Sequence, residues 1–418
     1  MKKILITLLF IIVALKTEAQ SSVFTVVDSL LLKGNYQKAL LLLEKEEPKT
    51  TLVFDKIATI YQTVGNYNKA IDYYEKALKN ENREEIKVKL SSAYNSAGLS
   101  SKSISIYEEI IEKDTSNLLV ANSLGKLYLA KNNVKKAEVL FRFLNKKDSL
   151  NPNYPYQIAQ CLAKQHKELA MGQSYLNAYN LDTLHIKSIY ELAKFFKELK
   201  DKDSTMLFIN KGLKIDSTNL NFLQLKANVL YFSKDFKGTI TYLNKLDSLN
   251  FRSINTYEMF GMSYLNLDDF ALAEKHFKNA LRLERNNSKI LYRLGALYYE
   301  KKDFKLSQLY LMQSIIYGRG DLDKQFLLSG TIAKEEFNLK VAINYFKDAV
   351  KYNRDNVNAL FQLAFASDSY FKDKKIAFKH YKDFVQRFEG KNDKLTSYAN
   401  NRIKEIKKEY FLKGEIIE

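Results

Sequence analysis

Leu124-Gly125-Lys126-Leu127-Tyr128 is the stretch from which the architecture can be read. Its pattern is a large residue, glycine, two further positions and tyrosine. The pattern returns as Phe260-Gly261-Met262-Ser263-Tyr264 and as Leu294-Gly295-Ala296-Leu297-Tyr298. Extending the glycine position gives a ladder of small residues: Ala58, Ser91, Gly125, Ala159, Ala193, Ala227, Gly261, Gly295, Gly330 and Ala364. The step is 33 once, 35 once and otherwise 34. A second ladder lies twelve residues on, from Ala70 and Ser103 through Ala137, Ala273 and Ser307 to Ala342. A third follows four later, with Tyr74, Tyr107, Phe141, Tyr175, Phe277 and Phe346 among its members. Self-similarity at such a period marks a repeat architecture.

Each repeat holds two apolar stripes at helical spacing. A small residue on each of two antiparallel helices lets their axes approach closely, and the aromatic residues beside them fill the space between neighbouring pairs. One pair cannot bury its apolar face alone, whereas stacked pairs build a continuous core. Turn residues separate the stripes: Val64-Gly65-Asn66-Tyr67, Asn132-Asn133-Val134, Leu267-Asp268-Asp269-Phe270 and Lys302-Asp303-Phe304. Asp114-Thr115-Ser116-Asn117, Asp148-Ser149-Leu150-Asn151, Asp182-Thr183-Leu184-His185 and Asp216-Ser217-Thr218-Asn219 recur at 34 residues and offer acceptors to the helix starts that follow. Asp247-Ser248-Leu249-Asn250 arrives only 31 residues after Asp216, which predicts a second helix ending about a turn early. At Tyr317-Gly318-Arg319-Gly320-Asp321 the step of 35 and two glycines predict a bend. The Arg319-Gly320-Asp321 triplet is read as a bare glycine turn.

Composition agrees with an all-helical chain. The 418 residues include only 3 Pro and 14 Gly, too little punctuation for a sandwich or barrel. Hydrophobic residues make up 46%, enough for a core. A single Cys excludes an intrachain disulfide framework. The net charge of +18 raises the question of an acidic partner, but Lys is spread over nearly every repeat and forms no stripe.

The pattern resembles the tetratricopeptide repeat family: the 34-residue period, small eighth position, Tyr eleventh, Ala twentieth, aromatic twenty-fourth and Ala twenty-seventh all match. The family's fourth-position Trp is absent, with Phe54, Tyr257 and Phe326 in its place. The resemblance implies an all-α, right-handed α-solenoid of about eleven helix-turn-helix units. These are expected at 22–50, 51–83, 84–117, 118–151, 152–185, 186–219, 220–253, 254–287, 288–322, 323–356 and 357–390, within a solenoid spanning 20–390. Residues 391–418 are expected to form a capping helix, with Leu395, Tyr398, Ala399, Ile403, Ile406 and Tyr410 on one face. In this family the first helices line a concave groove. Carried over, the candidate partner-binding face is Asn122, Lys126, Tyr156, Gln160, Lys164, Tyr190, Lys194, Lys197, Asn228, Tyr231, Met262 and Tyr292. Asn and Gln can bond a peptide backbone, Lys can meet carboxylates, and Tyr offers flat area with a polar tip.

Met1-Lys2-Lys3, the uncharged run from Ile4 to Leu15 and the small residues Thr17 and Ala19 have the layout of a secretory signal peptide over 1–19. Its removal takes away three Lys and one Glu and leaves about +16. The mature chain is then expected to be soluble and exported, periplasmic or secreted, with no later segment long enough to span a membrane. His166, His185, His276 and His380 fall in different repeats without metal-ligand spacing, and Cys161 reads as a buried thiol. No phosphate loop, nucleophile motif or paired carboxylates occur, so neither catalysis nor a cofactor or metal is expected. The expected function is a non-catalytic envelope scaffold with protein or peptide partners. Alternatives are an acidic envelope polymer, such as a polysaccharide or peptidoglycan, bound by the basic surface, or a sensor/adaptor role. The export signal argues against nucleic acid.

Overall fold

The computed structural model describes residues 23–390 and 393–417; the expected signal peptide lies outside them. Among the described residues there are helices, turns and links but no strands. The chain divides into two compact units at Phe208/Ile209, inside one helix. In unit one the pairs are α1 (23–32) with α2 (Tyr36–Lys45), α3 (Thr51–Thr63) with α4 (Tyr67–Asn80), and α5 (Glu84–Ser96) with α6 (Ser100–Lys113). Then come α7 (Leu118–Ala130) with α8 (Val134–Lys147), α9 (Asn153–Lys164) with α10 (Glu168–Leu181), and α11 (Ile186–Glu198). The division falls in α12 (Lys202–Ile215). Unit two continues with α13 (Leu220–Phe232) and α14 (Phe236–Ser248), α15 (Ile254–Leu265) and α16 (Phe270–Leu283), and α17 (Ser288–Glu300) and α18 (Phe304–Tyr317). It ends with α19 (Asp323–Glu335) and α20 (Leu339–Tyr352), α21 (Val357–Tyr370) and α22 (Lys375–Phe388), and the single α23 (Asp393–Phe411). Among the described residues the order of helices is the expected one: twenty-two in succession and then a last single helix.

The ladders form the core. Ala273, Phe277 and Ala280 run down the inner side of α16 and are fully buried. A Cβ added at Gly261 would sit 2.5 Å from the Phe277 ring, at Gly330 2.6 Å from Phe346, and at Gly125 2.9 Å from Phe141. Glycine is therefore required where a phenylalanine lies across the first helix. Where the third-ladder residue is tyrosine, as at Tyr74, Tyr107 and Tyr175, the facing small residue is Ala58, Ser91 or Ala159. Full burial of one such aromatic contributes roughly 1.5–3 kcal/mol.

The turn inside several pairs is built alike. Asp268 (φ 59°) takes the left-handed conformation, the Asp269 N–H reaches back to the Tyr264 carbonyl at 2.9 Å, and the Asp269 carboxylate caps α16 by accepting from Leu272 N–H at 3.0 Å. The first half closes the preceding helix and the second opens the next. Lys302 with Asp303 and Lys234 with Asp235 do the same. In the links between pairs, Asp114 and Asp216 instead fold the turn by accepting from Ser116 and Thr218 N–H, and Asn117 and Asn219 are the caps. At the 31-residue irregularity, α14 is only one residue shorter than the second helices α12 and α16, not a turn. Asp247 and Ser248 lie in its last turn, Asn250 (φ 58°) ends it, and Ser253 with Thr256 forms a capping box for α15.

At the C-terminal end α23 packs on α22, burying Ala399, Ile406 and Tyr410. Arg402 grips Asp368 of α21 through Nε (2.6 Å) and Nη2 (3.2 Å), and Tyr410 donates to Asp373 at 2.7 Å.

Candidate functional site

The first helices of unit two place one side-chain set per repeat on a shared face. α13 contributes Gln224, Asn228 and Tyr231; α15 contributes Asn255, Glu258 and Met262; α17 contributes Lys289, Tyr292 and Arg293. Positions i, i+4 and i+7 on one helix share a face, which brings Gln224, Asn228 and Tyr231 into line. Asn228, Tyr231 and Met262, three of the sequence candidates, line one cavity of about 430 Å³ with Glu258, Lys289 and Arg293. Tyr292, the fourth candidate here, lines a second cavity of about 320 Å³ on the other side of the same two cations. Arg319, Asp321 and Lys324 complete that second cavity. The glycine turn at Gly320 (φ 89°) thus brings Arg319 and Asp321 to the site, which the bare-turn reading did not foresee.

The centre of the arrangement is Glu258, a buried carboxylate. Its Oε2 meets Lys289 Nζ at 2.7 Å and its Oε1 accepts from Arg293 Nε at 3.1 Å. A buried charge must be paired, and here the partners come from the next repeat. The pairing fixes the Arg293 guanidinium between the cavities. The second cavity carries Lys289, Arg293, Arg319 and Lys324 against Asp321, a setting suited to an anionic group. In the first, Gln224, Asn228 and Asn255 make no hydrogen bond to other described residues, so their amides are available to a peptide backbone. Burial raises the Tyr231 and Tyr292 hydroxyls above the usual phenol range, and both remain neutral donors.

The unit-one candidates are placed differently. Gln160 donates to the Tyr175 hydroxyl at 2.5 Å, and Tyr156 packs against the Tyr175 and His185 rings. Lys194 pairs with Glu191 at 3.0 Å beside the Tyr190 ring, and Lys197 pairs with Glu198 at 3.2 Å. Lys126 and Lys164 are exposed, and Asn122 is half-buried with an unpartnered Oδ1. These residues share first helices but are not gathered around a common charge. Burial pushes the Cys161 thiol up to about 11, away from the reactive thiolate form. Among the described residues no group of His, Cys, Asp and Glu could hold a metal ion, and no helix is long and apolar enough to cross a membrane.

The tetratricopeptide repeat family matches at residues 53–83 and again at 258–312, the latter covering α16 and α17, most of α15 and part of α18. The chain carries such repeats. The chain is 25% identical over 198 residues, 47% of its length, to anaphase-promoting complex subunit 3 of Schizosaccharomyces pombe. It is 23% identical over 294 residues, 62% of its length, to the TPR repeat-containing protein MJ1428 of Methanocaldococcus jannaschii. It spans 29% and 51% of the lengths of these two relatives. Among solved structures, yeast Tom70 overlays on 92% of the chain and 96% of its own length at a TM-score of 0.43 and 14% identity.

Proposed function

We propose that the chain is a non-catalytic scaffold that holds an extended polypeptide segment across the first-helix face of unit two. One observation carries the reading: the buried Glu258 carboxylate pairs with Lys289 and Arg293 of the next repeat, with a cavity on each side of this ion cluster. Amide side chains on one side suit a peptide backbone, and the cations on the other suit an acidic side chain or a chain terminus. The test is a peptide array probed with the purified chain. Arg293→Ala and Tyr231→Ala should each abolish the strongest signals, while Lys126→Ala in unit one leaves them intact. Retention of every signal by both unit-two variants refutes the site.

The basic second cavity also favours a second reading, binding of an acidic envelope polymer. That ligand would bind with steep salt dependence and without regard to Tyr231. We also propose that the scaffold works after export, on the strength of the leader-like residues 1–19. Cell fractionation with N-terminal sequencing checks this: recovery of the chain in the cytoplasm with Met1 to Ala19 intact would end the proposal.

A further inference from the structure

Of the second helices from α4 to α22, α18 alone has a wholly apolar outer stripe. Counting two, five and nine residues on from the second-ladder position gives the solvent-facing triplet of each helix. It is Lys275, Lys278 and Arg282 in α16, and Asn344, Lys347 and Lys351 in α20. In α22, counted from Ala377, it is Lys379, Lys382 and Gln386. In α18 the same positions hold Leu309, Met312 and Ile316, which are 43%, 54% and 64% exposed. Nothing in the packing of the pair requires this, because the inner residues Ser307, Leu311 and Ser314 already fill the buried side.

The stripe borders a groove between α18 and α20. Its volume is about 780 Å³, and Ile315, Phe326, Val341 and Tyr345 are among the residues that line it. The Phe326 ring stacks on Tyr352 with centroids 5.3 Å apart, which makes a firm aromatic wall. The rims are basic. Lys305 lines one edge, and Lys340, Lys347 and Lys351 form the adjoining stripe of α20. Among the described residues no carboxylate pairs with those three α20 lysines, and Glu336, which also lines the groove, accepts from Gln308 at 2.8 Å.

We propose that the α18 stripe and its groove dock an amphipathic helix of a partner protein, one whose apolar ridge is flanked by acidic residues. The residues stand at i, i+3 and i+7 along a helix about 21 Å long, the spacing that a second helix laid alongside would meet. The lysine rims select acidic flanks. A second copy of the same face would set cation against cation, and a flat bilayer would leave the groove unfilled. The surface lies on the second helices α18 and α20 with a wall from α19, and it shares no lining residue with the first-helix site proposed above.

The test uses the purified full chain and a fluorescein-labelled helical peptide of about 18 residues, with Leu at alternating three- and four-residue spacing and Glu on both flanks. A twin peptide carries Lys in place of Glu. Fluorescence anisotropy should show saturable binding of the Glu peptide that weakens with salt, and none of the twin. Met312→Lys with Ile316→Arg installs the residues of α16; it should weaken binding roughly tenfold or more and leave the melting temperature unchanged, since both side chains already face water. Arg293→Ala should have no effect, which separates this surface from the first-helix site. Absence of binding, equal binding by the twin, or full binding by the double variant overturns the proposal. So does concentration-dependent dimerisation, or sedimentation with phosphatidylglycerol vesicles, that the double variant abolishes while peptide binding is unaffected.

Discussion

The pairs α3–α4 and α15–α16 meet the same packing problem with different residues. In α15–α16 the third-ladder residue is Phe277, its ring lies across the first helix, and Gly261 is the only residue that leaves room. In α3–α4 the equivalents are Tyr74 and Ala58. There the Tyr74 hydroxyl donates to Gln62 at 2.8 Å and lies 3.2 Å from the Thr59 hydroxyl. Flat contact demands the smallest residue, whereas a hydroxyl tied to the first helix accommodates a methyl group. The pairs differ again beside the core. Tyr73 stacks on Tyr61 at 5.7 Å, and the position equivalent to Tyr73 in α16 is His276, which stacks on Phe260 at 4.3 Å and Tyr264 at 5.4 Å. Equal backbones thus tolerate unequal chemistry: in the core contact both members change together, whereas beside it Tyr61 and Tyr264 are the same and only their partner changes.

Substitutions that force one pair toward the other measure how separate the two solutions are. Gly261→Leu should have the largest effect: the new side chain runs into Phe277 and costs roughly 1–3 kcal/mol, read as a lower midpoint in urea. An unchanged midpoint would mean that Phe277 can move aside. Tyr74→Phe gives α4 the ring of α16 without its glycine, loses the hydroxyl contacts and should cost about 1 kcal/mol. The turns come next. Gly65 (φ 81°) is left-handed in α3–α4, so Gly65→Ala should destabilise by roughly 1 kcal/mol, while Lys302→Gly, at φ 61° between α17 and α18, should stabilise by a few tenths up to about 1 kcal/mol. A melting series that ranked these two the other way would contradict the left-handed geometry.

The smallest effect concerns pH. Burial holds the His276 imidazole below its ordinary value, as it does His185 and His380. The unfolded chain then binds protons that the folded chain refuses. This stability is fully present above the unfolded histidine value, near pH 6.5, and declines as pH falls below it toward the lowered folded values. Glu109 and Glu274, each held down at about 2, lose their contributions in a separate, more acidic window. His276→Tyr installs the α4 residue and should flatten part of the loss between pH 7 and pH 5. A slope identical to that of the parent would show that His276 is not the sensor.

The helix pairs were legible because small residues cannot be exchanged freely in close-packed pairs, so Gly125, Gly261 and Gly295 keep the period even where surface residues drift. The unit-two face was half legible. The repeat register put Asn228, Tyr231, Met262 and Tyr292 on it, but the ion cluster joins the buried Glu258 to Lys289 and Arg293, each unremarkable in its own repeat. Their separations of 31 and 35 residues straddle the period and were the available signal. Aligning repeats by their small residues favours what they share, and for that reason Leu309, Met312 and Ile316 escaped notice: their significance lies in departing from the lysines and arginine of α16. The link at Asp247 was misjudged because an Asp-Ser pair can close a helix as readily as precede one.

An array of like pairs has two ends to which a further pair could add, so identical chains could in principle grow end to end into a fibre. α23 stops that at the C-terminal end of unit two. It occupies the flank of α22 that a following first helix would use, and it is held by Arg402 and Tyr410 contacts that no repeat supplies. Assembly by addition at this end would first have to displace α23. Partners, like or unlike, are therefore directed away from this flank of α22, and both proposed surfaces lie elsewhere on unit two.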